Sequence, residues 1–286
     1  HLRHQDGPAG RVMFRRNKKA ERHFEHLLDE GGIPSFPNAV ADAIQQVASP
    51  DVDLGEVAET ISMDPKLTVA VLKLANSPSF APRSPIRSVH QAAVLLGRNQ
   101  LEALLIASGV GDAIPPRPAP GYSPATFWLT SATRAAAAAG MAARLDPAAQ
   151  YEQFTAALLQ DMAQPILVHN DASYAQVLLE HGESHAELVA KEEEHLGWTH
   201  PEIGELLGGQ WGLPDGLTES ISVHHDQSVP GYEIAQWASL IELPEPDLEL
   251  LTADAERRLG VADPEAVPAV IGEAMDRASE IAAIFN

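Results

Sequence analysis

The chain contains no cysteine. That absence excludes a disulfide framework and any thiolate metal site, and it fits a reducing cytoplasm. Aromatic residues are scarce at 5%, while apolar residues reach 45%. Few aromatics disfavour a β-rich fold, and abundant alanine favours closely packed helices. No run of about 18 apolar residues occurs, so the sequence offers no membrane span. Its first residues lack the apolar stretch of a secretory signal. Positive charge is scarce too: 19 Lys and Arg against 40 Asp and Glu leave a net charge of −21. The body of such a protein is unsuited to wrapping nucleic acid. The exception is the front. Within residues 1–26, Arg3, Arg11, Arg15, Arg16, Lys18, Lys19 and Arg22 meet only Asp6, Glu21 and Glu25. This basic arm reads as a solvated leader or as a contact for nucleic acid or a membrane surface. A start at His1 rather than Met points to a processed or engineered end.

What is present is a succession of helix signals. A short helix is expected over Ala20–Leu28, ended by Gly31-Gly32. Asn38 opens a helix with Val40, Ile44 and Val47 on one face, and Asp53 opens the next with Val57 and Ile61 inward. Asp64 caps a helix with Pro65 at its first position, where the missing N–H costs nothing. Leu67, Val71 and Leu74 form its apolar face, and Asn76-Ser77-Pro78 ends it. Ser88 with Gln91 reads as a capping box, and Gly97 closes that helix. Another helix spans Asn99–Ile114.

Proline then breaks the pattern at PPRPAP, residues 115–120. Ser123-Pro124 restarts a long helix that runs through the alanine-rich stretch to Leu145. Helices follow over Phe154–Val168, interrupted by Pro165, over Ser173–His181, and over Glu187–His195 behind Ser184. Thr199 with Glu202 is a capping box opening the segment to Trp211, and Asp215–His225 comes next. Two or three more helices complete Tyr232–Phe285. The expectation is an all-α fold. It has a basic arm with a short helix (residues 1–32), a first helical module (33–114), the linker (115–120) and a second module (121–286).

Several blocks together resemble the HDOD family, the HD-related output domain of bacterial signalling proteins. They are Ile33-Pro34-Ser35-Phe36-Pro37; Asp64-Pro65 with Leu67 and Leu74-Ala75-Asn76-Ser77; Ile86 to Gly97; Phe127-Trp128 with Ser131; His200-Pro201-Glu202-Ile203-Gly204; Trp211 to Pro214; and His224-His225-Asp226. The resemblance implies an all-helical regulatory module with a second half like an HD domain. Asp64, Pro65, Leu67, Asn76, Ser77, Gly97 and Trp128 are read as its structural motif residues. In active HD enzymes, an early His, a His-Asp pair and a later Asp hold divalent metals that turn water into a nucleophile. Here Thr130 stands at the early His position, and Gln160 replaces the His of the pair. Only Asp161 remains, with Ala163 and Gln164 where a Gly-Lys pair is common. A neutral amide is a weak ligand beside imidazole. The degraded pattern implies no catalytic residues.

Asp161, His200, His224, His225 and Asp226 could still converge. Read as chemistry, they bind a metal without hydrolysis. Read as structure, Asp161 caps or pairs, His200 opens a helix, and His224 and His225 close one. Adjacent helical residues point about 100° apart, so only one of the two histidines is expected to face a site. Glu192-Glu193-Glu194, His181 and His185 read as a solvated face, and Glu192 to His195 lacks the HExxH spacing. Lys73, Arg83, Arg87 and Arg98 form a candidate anion patch for a nucleotide or phosphate. The leading expectation is a non-catalytic cytoplasmic signalling module that binds a protein partner or an adjacent domain, with no cofactor and a possible link to cyclic di-GMP signalling. The alternative is a metal-dependent phosphohydrolase acting on nucleotides or cyclic dinucleotides. A nucleotide second messenger is a further candidate ligand.

Overall fold

The computed structural model describes residues 17–76, 82, 84–181 and 185–284. Ser77, Arg83, Ser184 and most of the basic arm lie outside them. Among the described residues the fold is all-α, as the sequence predicts, and no helix is long and apolar enough to cross a membrane.

The first half is built around one long helix. Helices α2 (Asn38–Ala48), α3 (Leu54–Ser62) and α4 (Pro65–Ala75) pack on α5 (Val89–Ala113). The capping logic holds. Asp53 accepts from the Gly55 N–H at 2.7 Å, and Asp64 from Lys66 and Leu67 at 2.8 and 3.1 Å. Ser88 Oγ accepts from the Gln91 N–H at 3.2 Å, while the Gln91 amide oxygen accepts from Arg87 rather than from the cap residue. At Gly97 the backbone leaves helical geometry at φ 73°, a region open to glycine, so the first arm of α5 closes there as expected and a second arm runs on to Ala113. Asn76 clasps the loop before α5, donating to Leu72 and Ile86 carbonyls and accepting from the Ile86 N–H at 2.8 Å. Gly109 lets the Phe36 ring lie where a Cβ would stand.

The second half centres on α6 (Pro124–Leu145), which is covered by α7 (Gln150–Leu159), α13 (Glu233–Ser239) and α15 (Ala266–Ala282). Residues Ala135–Ala139 are all buried. Their small side chains allow α7 and α15 close approach. The helix expected over Phe154–Val168 is two. It starts at Gln150 and breaks at residues 160–163, and α8 (Gln164–Asn170) then carries Pro165 in its first turn. Pro165 thus starts a helix rather than interrupting one. Then come α9 (Ala172–His181), α10 (His185–His195), α11 (His200–Gln210), α12 (Asp215–Val223) and, after α13, α14 (Leu248–Asp254).

The halves share one apolar core, with α5 against α7. Trp211 donates to the Pro34 carbonyl at 3.0 Å and packs on Phe36. Helix α1 (Lys18–Asp29) packs on α11, in the second half. Asn17 donates to the Gly197 carbonyl and to Glu202, and His23 stacks on Trp198 at 4.3 Å while pairing with Asp171 at 3.1 Å. The expected arm helix is therefore a docked layer.

Candidate functional site

Four elements of the second half end at one buried point. The turn between α7 and α8 supplies Asp161, the first position of α11 supplies His200, and the end of α12 supplies His224 and His225. From the middle of α6 comes Arg134, which the sequence reading passed over as part of a helix. Asp161, His200, His224 and Arg134 are all less than 5% exposed.

The Asp161 carboxylate is engaged on both oxygens. Oδ2 accepts from Arg134 Nη1 at 2.5 Å. Oδ1 accepts from Gln164 Nε2 at 3.0 Å and faces His200 Nε2 at 3.0 Å and His224 Nε2 at 3.4 Å. The guanidinium is anchored at its other nitrogens, Nε to the Ile241 carbonyl at 3.0 Å and Nη2 to that of Ser239 at 3.2 Å.

The remaining imidazole nitrogens are fixed as well. His200 Nδ1 lies 2.8 Å from Glu192 Oε1, and Glu192 also accepts from the His200 backbone N–H at 2.9 Å. His224 Nδ1 lies 2.6 Å from the Ile221 carbonyl, to which it must donate. Neutral His224 therefore turns a lone pair toward Asp161 Oδ1. Neither His200 Nε2 nor His224 Nε2 meets a partner in hydrogen-bond geometry. Lone pairs facing a carboxylate call for a cation between them, either a proton or a metal.

Burial by itself would lower the His200 pKa, but the Glu192 and Asp161 carboxylates outweigh it and raise it to about 9. For His224 burial prevails, with the His200 charge adding to it, and the pKa falls below its ordinary value. Burial opposes ionisation of Asp161, yet the adjacent His200 and His224 rings and the Arg134 charge hold it well below the carboxylate range.

The donor set fits a divalent ion in chemistry. Asp161, His200, His224 and His225 each offer one ligand atom, all within 4.8 Å of one another. One carboxylate oxygen with imidazole nitrogens suits zinc-like or iron-like ions, and ring nitrogens held by Glu192 and a backbone carbonyl are the usual outer support. Such an ion would polarise bound water, and His200, His224, His225 and Asp161 Oδ1 would hold it. Arg134 occupies the other carboxylate oxygen, which a second ion would need.

The structure corrects several expectations. Both His224 and His225 reach the cluster, although the backbone at His224 is still right-handed helical; their rings lie 4.0 Å apart. Asp226 is exposed and turns away, accepting from Ser228 N and Oγ at 3.0 and 2.6 Å. Glu192 is fully buried, not solvated; only Glu193 and Glu194 face water. Its signal was the i, i+4 register with buried Leu188. Gln160 is buried with neither amide atom bonded, and Thr130 sits at partial exposure one turn before Arg134. The candidate anion patch does not assemble around Arg98. That guanidinium donates to the Val47, Ser49 and Val52 carbonyls and ties down the α2–α3 loop. Lys73 lines a groove of α4 and α5 with Lys66 and Asp112, and Arg87 is exposed. Trp128 is buried against Phe127.

Known proteins share this arrangement of helices. A crystal structure of a candidate phosphohydrolase from Shewanella amazonensis is 26% identical, with a TM-score of 0.74 over 92% of this chain and 98% of that one. An HDOD domain protein of unknown function from Geobacter sulfurreducens is 24% identical, with a TM-score of 0.69 over 94% and 97%. An uncharacterized protein of Treponema pallidum is 25% identical over 201 residues, 68% of this chain and 38% of its own length. This chain thus spans well under half of that relative. Residues 33–227 match the HDOD domain, and the chain belongs to that family.

Proposed function

We propose that the chain is a non-catalytic signal-transduction module of the cytoplasm that acts by binding a protein partner or a neighbouring domain. One observation carries this reading. The Asp161 carboxylate, the one surviving residue of the His-Asp pair, is buried and held on both oxygens, one of them by Arg134. A metal that needed both carboxylate oxygens would have to displace a guanidinium bound at three nitrogens. The fold survives the loss of ligands that hydrolysis requires. A groove between the halves, lined by Asn99 and Glu102 of α5, Tyr151 and Thr155 of α7, and Leu217, offers a place for a partner or a nucleotide messenger. The basic arm offers a weaker contact for nucleic acid or a membrane surface.

Metal-dependent phosphohydrolysis of a nucleotide or cyclic dinucleotide is the second reading. What favours it is the convergence of Asp161, His200, His224 and His225. The test is turnover of bis-p-nitrophenyl phosphate, nucleotides and cyclic dinucleotides with added manganese, iron or zinc. Wild-type protein and Asp161→Asn are expected to match the metal-only blank. Turnover that Asp161→Asn abolishes overturns the signalling reading in favour of the hydrolase.

A further inference from the structure

The fixed charges around the cluster depend on a single side chain. Asp161 and Glu192 each bring a fully buried carboxylate, Arg134 brings a buried guanidinium bonded to Asp161, and the partly exposed Glu242 acts on Arg134 by charge from the rim. Arg134 is 1% exposed, and its carbonyl anchors at Ile241 and Ser239 prevent it from swinging out to solvent. A divalent ion on Asp161 Oδ1 would sit across the same carboxylate from this guanidinium. The fully buried fixed charges and the ion would then sum to one positive charge, with Glu242 left at the partly exposed rim. Without Arg134 they would sum to zero. Water screens such a difference weakly in the interior, and an uncompensated buried charge is costly.

We propose that Arg134 stands in for a divalent cation at this cluster and keeps its affinity for such ions low, so that neutralising residue 134 creates a one-ion site on Asp161, His200, His224 and His225. The donor chemistry selects a zinc-like transition metal over magnesium or calcium, which prefer all-oxygen sets. The opposite role is also physically defined. A group that merely orients a metal-binding carboxylate strengthens binding, and its removal weakens the site.

The experiment is a zinc titration of the full chain after chelator treatment. It is read by melting temperature and by zinc retained through gel filtration. Wild-type protein is expected to retain less than roughly a tenth of an equivalent, with an unmoved melting temperature. Arg134→Met should melt low without zinc, bind close to one ion roughly a hundredfold more tightly than wild type, and rise in melting temperature on binding. Arg134→Lys keeps the charge and should behave as wild type. Adding His224→Ala to Arg134→Met should abolish the gain. Wild type that retains one equivalent overturns the proposal, as does Arg134→Met that binds no more tightly. Arg134→Met that stays unfolded even with zinc also counts against it, because zinc should restore the balance. Wild type that binds an ion yet hydrolyses nothing would overturn this inference and leave the signalling reading standing.

Discussion

The two halves of the molecule are stabilised by different interiors. In the first half, among the described residues before α6, every buried side chain is apolar, and polar groups work at the edges as caps and clasps. From Ser131 onward the interior also contains Arg134, Asp161, Glu192, His200, His224, Gln236 and Asp254. The first half shows that helices of this size close without internal charge. The charge in the second half is thus a retained feature with its own desolvation cost, offset only because each group meets an opposite partner. Apolar cores fail gradually when atoms are removed, whereas paired charges fail when one partner is removed.

The largest expected effect breaks the pairing directly. Asp161→Ala leaves Arg134 and His200 buried without their shared carboxylate and should destabilise by about 3–5 kcal/mol in urea unfolding. A loss under about 1 kcal/mol would mean that the charged interior is dispensable and that the contrast between halves is one of composition only. Next is a purely steric probe of the first half. Gly109→Ala places a methyl group into the Phe36 ring and should cost about 1–3 kcal/mol, with no dependence on pH or salt. Wild-type stability for that variant would show that Phe36 repacks freely and that the first half is looser than its burial implies.

The smallest effect separates the halves by acid. Burial opposes ionisation of Asp171 and Asp254, but His23 and backbone N–H groups hold the first low, and Arg258 and Arg257 the second. A carboxyl whose folded pKa is depressed gives stability above its unfolded value of about 3.9 and loses it as pH falls through the folded value. Both lie in the second half, as do all four tryptophans, Trp128, Trp198, Trp211 and Trp237. Below about pH 4, tryptophan fluorescence should therefore shift before far-ultraviolet circular dichroism is lost. Coincident transitions would show that the halves unfold as one unit despite their different interiors.

The sequence made the first half legible because its signals are local. Asp53, Asp64 and Ser88 cap where expected, and Gly97 marks the kink, since each acts within a few residues of itself. The candidate site was legible only in part. Asp161, His200 and the histidine pair stood out by chemistry, and the capping box put His200 at a helix start. Arg134 and Glu192 did not stand out, because long-range packing determines their roles. Arg134 is more than twenty residues from its carboxylate and over a hundred from its carbonyl anchors. The available clue was an arginine directly before a run of five alanines, mid-helix, with no acid within a turn. Glu192 was masked by two acidic neighbours that do face water.

The carbonyls that anchor Arg134 belong to Ser239 and Ile241, while the family match ends at residue 227. The unit recognised by descent and the unit that closes electrostatically therefore have different ends. A gene fragment trimmed to the recognised span would keep Asp161 and all three histidines, yet release the guanidinium that balances them. It would also strip α13 and α15 from α6. Such a fragment would be a different electrostatic object from the native domain, and ion binding measured on it would describe the trimmed species. Boundaries for recombinant work on this chain belong beyond α15, where the last covering helix ends.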